Sequence, residues 1–98
     1  MEIIKQQDGE KLNVQLVGRL DTTTAPELEE ALMRDLTGIK ELHFDFAKLE
    51  YISSAGLRVL LAAQKIMNGQ GSMKISNVVS DIMEVFEITG FTDILTIE

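Results

Sequence analysis

Apolar residues change their spacing several times along the chain, and each change marks a different element. Leu12, Val14 and Leu16 alternate with polar Asn13 and Gln15, the period of two expected of a strand with one buried face. Ile3-Ile4 forms a shorter apolar run upstream. Asp8-Gly9 between the two runs is a hairpin signal, so the chain is predicted to begin with an antiparallel pair. After Gly18-Arg-Leu-Asp21, the segment Thr24-Ala-Pro-Glu27 offers a hydroxyl N-cap, an early-turn proline and a glutamate three residues on, the pattern of a capping box. The helix that follows is predicted to bury Leu28, Ala31, Leu32 and Leu36 and to close at Gly38. Leu42, Phe44 and Phe46 then alternate with His43 and Asp45, which predicts a short strand with a turn at Ala47-Lys48.

Ser53 or Ser54 caps a second helix running to about Asn68, and Gly69-Gln-Gly71 stops it before a short strand at Met73-Lys-Ile75. A third helix carries Ile82, Val85 and Phe86 on one face with Asp81, Glu84 and Glu87 opposite, and ends at Gly90. Ile94, Leu95 and Ile97 supply a last strand. This order predicts an α/β fold, a mixed sheet of about five strands with about three main helices, because strand-helix-strand units give parallel neighbours through right-handed crossovers. One domain is expected over residues 1–98. Such crossovers gather strand ends and helix starts on one edge of the sheet, which places Asp21, Asp45 and Ser54 together there. The second helix is apolar around most of its circumference, with Arg58, Gln64, Lys65 and Asn68 as a narrow polar stripe. A helix of that kind is either covered on two sides or partly exposed for docking.

Composition narrows the functions. At 98 residues and 45% apolar content the chain has room for one core, burying roughly two-thirds of its unfolded surface. The absence of cysteine rules out disulfides and thiolate metal sites. The formal charge of −7, from 16 acidic and 9 basic residues, repels phosphate backbones and anionic lipid heads, so neither nucleic acid nor membrane insertion is expected. That charge serves solubility or complements a basic partner surface. The amino terminus lacks the basic start and apolar run of a signal peptide, and no later run reaches about 20 apolar residues. A soluble, cytoplasmic protein is expected.

The candidate chemistry centres on Ser53-Ser54, where a strand is predicted to exit and a helix to start. Free amides and the positive end of the helix dipole favour an anion at such a junction. One serine is needed as a cap, and the other is then left exposed. A hydrolase nucleophile elbow does not fit, since Ile52 stands where the first glycine belongs and the only histidine, His43, lies within a strand. Asp21 and Asp45 do not make a phosphoryl-accepting receiver either. No adjacent acidic pair follows the first strand, and the required late lysine is not evident. They are read as groups that satisfy turn amides or set the local charge; no catalytic residue, cofactor or metal is expected.

Gly18-Arg-Leu-Asp21, Asp45, Tyr51-Ile-Ser-Ser-Ala-Gly-Leu57 and Ile88-Thr-Gly-Phe91 resemble the successive signature blocks of the STAS domain, and in particular of the stand-alone bacterial anti-sigma factor antagonists. The resemblance extends from about Glu2 to Ile97. It implies a non-enzymatic protein in a partner-switching cycle: the unphosphorylated form binds an anti-sigma factor serine kinase, phosphorylation of one serine releases the complex, and a PP2C-type phosphatase restores binding. In that family the acceptor stands two residues before the glycine, the place of Ser54 before Gly56, with Ser53 as the alternative acceptor. Asp21, Ser53, Ser54, Ala55, Gly56, Leu57 and Arg58 are the implied partner-binding set. Ser53 departs from the family pattern, which has aspartate there. The alternative is a non-enzymatic STAS scaffold or accessory subunit of another signalling or transport complex.

Overall fold

A computed structural model describes residues 1–98. Strands β1 (Glu2–Asp8) and β2 (Lys11–Leu20) pair antiparallel through a tight turn in which Gly9 takes φ +62°, as the Asp8-Gly9 signal predicts. Helix α1 (Ala25–Asp35) leads to β3 (Glu41–Ile52), α2 (Ser54–Asn68) to β4 (Ser72–Ser76), and α3 (Ser80–Thr89) to a single 3-10 turn at Phe91–Asp93. The sheet order is β1-β2-β3-β4, with β2, β3 and β4 mutually parallel. The mixed α/β fold is therefore as the sequence predicts.

The sheet buries one face. Leu12, Val14, Leu16 and Leu20 of β2, Leu42, Phe44 and Phe46 of β3 and Met73 and Ile75 of β4 join Leu28, Leu32, Leu57, Leu60, Met67, Ile82 and Phe86 from the helices in one core. Asn13, Gln15, His43 and Asp45 alternate with them on the other, partly solvated face. No helix is long and apolar enough to cross a membrane.

Three expectations change. There is no turn at Ala47-Lys48: β3 runs on to Ile52 with two inserted residues. Phe46 and Ala47 together oppose Leu16, and Glu50 is the extra residue between the pairs Leu49–Gly18 and Tyr51–Arg19. Each bulge lengthens the inward spacing from two residues to three, so Phe46, Leu49 and Ile52 all stay in the core, and the broken alternation imitates a turn. The sheet has four strands instead of about five, since the predicted last strand contributes one bridge, Ile97 to Ile75. The amides of Asp93, Ile94 and Leu95 are committed to turn bonds, such as Leu95 N to Phe91 O at 2.8 Å, and so cannot join a ladder. The capping box does not form either. Thr24 has helical dihedrals and its hydroxyl donates to Arg19 O at 2.8 Å while accepting from Asp21 N at 2.8 Å, tying the loop to the strand end.

Candidate functional site

The ends of β2 and β3 meet the start of α2. Leu20 pairs with Ile52, and the Ser53 amide donates to Leu20 O at 2.9 Å, which brings Asp21 beside the two serines. Ser53 is the N-cap of α2: its backbone is extended and its Oγ accepts from the Gly56 amide at 3.3 Å. Ser54 is then the first helical residue, and it is exposed. The two hydroxyls thus divide the work, one engaged with the backbone and the other facing solvent.

Gly56 explains why α2 starts so close to the sheet. A Cβ at this position would lie 2.7 Å from Leu20 Cγ and 2.9 Å from Ile52 Cγ1. Both neighbours are buried side chains with nowhere to withdraw, so only glycine lets the first turn rest on the strand ends. Gly56 and Leu57 were grouped by sequence with the contact residues, but both are buried. They support the surface from beneath. Ala55 is half-buried, and Arg58 is exposed one turn beyond Ser54.

Asp21 organises the loop into α1. Its Oδ1 accepts from the Thr23 hydroxyl at 2.8 Å, the Thr23 amide at 3.0 Å and the Thr24 amide at 3.1 Å. Chiefly through the Thr23 hydroxyl, with the two amides adding, these bonds favour the ionised form and hold the carboxyl below the usual aspartate range, against a partial desolvation. Asp45 is not at this edge. It pairs with Gln15, and about 17 Å of β2 separates Gln15 from Leu20. There its Oδ1 accepts the amide of Ala47 at 3.0 Å, at the first bulge, and the Asn77 side chain at 3.1 Å. The Ala47 amide is the main cause of a lowered pKa, with Asn77, His43 and Lys48 contributing in the same direction and desolvation opposing. Asp45 anchors the bulge that the alternation concealed. His43 also lies on the open face, with Nδ1 3.2 Å from Asn13 Oδ1 and Nε2 2.7 Å from Ser76 Oγ.

Arg19 and Tyr51 belong to this edge without having been singled out by sequence. They are cross-strand partners, and the Arg19 guanidinium lies 4.1 Å from the centre of the Tyr51 ring and 3.9 Å from Asp21 Oδ2. Their facing positions depend on both bulges, so counting residues along either strand alone does not reveal the pair. Between α1 and α2 runs a shallow groove of about 290 Å³ lined by Thr22, Ala25, Pro26, Glu29, Ala55, Arg58 and Val59. The question left by the apolar circumference of α2 resolves mainly as burial, with Leu57, Val59, Leu60, Ala63 and Met67 in the core and Leu61, Ala62 and Ile66 half-buried. Gln64, read as part of the polar stripe, is only 6% exposed and donates to Asn68 Oδ1 at 2.8 Å.

The comparisons with known proteins agree on the class that the sheet, the helices and this edge define. The family model for the STAS domain matches residues 2–98, and the chain belongs to that family. The anti-sigma-B factor antagonist of Listeria monocytogenes is 33% identical over 99 residues, an alignment covering 97% of this chain and 85% of the relative. Among solved structures, the anti-sigma factor antagonist SpoIIAA in its unphosphorylated form superposes with a TM-score of 0.86 at 15% identity, covering 99% of this chain and 88% of that one. The phosphorylated form of the Bacillus cell fate determinant SpoIIAA gives 0.78 at 15% identity, covering 99% and 91%.

Proposed function

We propose that this chain is an anti-sigma factor antagonist switched by phosphorylation of Ser54. Unphosphorylated, it binds an anti-sigma factor serine kinase through the edge bearing Asp21, Ser53, Ser54, Ala55 and Arg58, with Gly56 and Leu57 beneath. Phosphorylation of Ser54 ends that complex, and a PP2C-type phosphatase restores it. The observation that carries this reading is the division of labour between the serines: Ser53 caps α2, and Ser54 is exposed at its first position. A phosphate of about −1.5 to −2 charges at a helix start disturbs no helical bond, so the switch acts by charge and bulk at the interface. The Listeria relative, named an anti-sigma-B factor antagonist, supports the antagonist part of this reading.

The chain acts as a substrate of catalysis and not as a catalyst. His43 is bonded to Asn13 and Ser76 on the open sheet face and is not a base for Ser54. A cytoplasmic, single-domain regulator over residues 1–98 fits this role. Intact-mass analysis after incubation with the cognate kinase and ATP tests the acceptor: one phosphate is expected on the wild-type chain and on Ser53→Ala, and none on Ser54→Ala. A gain unchanged in Ser54→Ala, or no gain on the wild type, overturns it.

A further inference from the structure

Arg58 stands four residues after Ser54 and is the first charged side chain of α2. Side chains so spaced share one face of a helix, with Cβ atoms about 5–6 Å apart. Both residues are exposed. The other two arginines are engaged, Arg19 with Tyr51 and Asp21 and Arg34 with Asp35. The Arg58 side chain has neither an ion pair nor a hydrogen bond, although Glu29 lines the same groove. Ser53 adds to this arrangement: a neutral hydroxyl caps the helix, so no carboxylate at that position competes for the guanidinium.

We propose that Arg58 binds the phosphate of phosphorylated Ser54, an inference that rests on Ser54 being the acceptor. The order is the favourable one, anion on the amino-terminal side and cation one turn later. A guanidinium offers a planar fork of N–H donors that matches phosphate oxygens, and such charge-assisted bonds are stronger than neutral ones. The modification then makes two changes to the surface. It adds negative charge, and it withdraws Arg58 from the face offered to a partner. Unphosphorylated, the edge presents a free hydroxyl and a free cation; phosphorylated, it presents a self-satisfied ion pair.

Phosphoserine introduced at position 54 during translation, by a suppressor tRNA and without any kinase, permits a direct test. The phosphorus-31 NMR titration of the phosphate is compared among the otherwise wild-type chain, Arg58→Gln, Arg58→Lys and Lys65→Gln. Loss of the guanidinium is expected to raise the phosphate's second pKa by about 0.3 unit, the size of a helical ion pair. Arg58→Lys, which keeps the charge without the fork, is expected to fall between. Lys65→Gln removes the same charge from the far end of α2 and is expected to leave the titration unchanged. Equal titrations for the wild-type chain and Arg58→Gln, or an equal rise in Lys65→Gln, overturn the proposal. Because no kinase is used, that result is distinct from failure of Ser54 as acceptor, which the mass experiment reads.

Discussion

Adjacent serines at a helix start look interchangeable in a sequence, yet the backbone makes them different residues. Ser53 is extended and its hydroxyl serves Gly56; Ser54 is helical and its hydroxyl is free. Replacing a capping serine by alanine costs about 1 kcal/mol, whereas aspartate caps as well as serine and adds charge at the positive end of the dipole. Ser53→Ala is therefore expected to lower the urea midpoint by an amount worth about 1 kcal/mol, with Ser53→Asp at or above wild type. Equal midpoints for Ser53→Ala and wild type would show that the 3.3 Å contact contributes nothing. The spacing to Gly56 pointed to the same pair of residues, but which hydroxyl caps was not legible, because that depends on where β3 releases the chain.

At the scale of elements, α2 is seated by a glycine and aimed by two bulges. Gly56→Ala places a methyl group into Leu20 and Ile52. Overpacking of this kind costs about 1–3 kcal/mol and is relieved by tilting the helix start, which carries Ser54 with it. The expected outcome is a lower midpoint together with displaced amide resonances at residues 53–57 in heteronuclear NMR spectra; a destabilised variant with unmoved resonances there would separate packing from positioning. The alternation at Leu42, Phe44 and Phe46 showed that a strand exists. Its length did not show, because inserted residues at Ala47 and Glu50 remove the period of two on which a strand is recognised. The same insertions turn Tyr51 outward to face Arg19.

Across the whole molecule, charge and the two organised aspartates pull stability in opposite directions with pH. The formal charge of −7 at pH 7 falls toward zero near the pI of about 4.6, which relieves self-repulsion as the solution is acidified. Asp21 and Asp45 are both held below the ordinary aspartate value of about 3.9. Their folded pKa values are depressed, so their contribution is complete above that ordinary value and is lost as pH falls through the folded values. Urea midpoints are expected to be highest between about pH 5 and 6 and to drop below about pH 4. Asp45→Asn is expected to flatten part of that acid limb; a limb unchanged in the variant would remove Asp45 as its source.

What the sequence determined by itself was the order of the three helices and four strands, the buried face of the sheet and the choice of Tyr51 to Leu57 as the candidate segment, because these rest on local periodicity, capping residues and a motif contiguous along the chain. The tertiary structure decided what depends on residues distant in sequence meeting in space. Strand register puts Arg19 over Tyr51, keeps Asp45 away from the serines and spends it on a bulge amide. Packing makes Gly56 and Leu57 supports beneath the surface. The serine at the start of α2 is proposed as the acceptor from its neighbours along the chain, but its exposure is set by a backbone turn that only the folded sheet fixes.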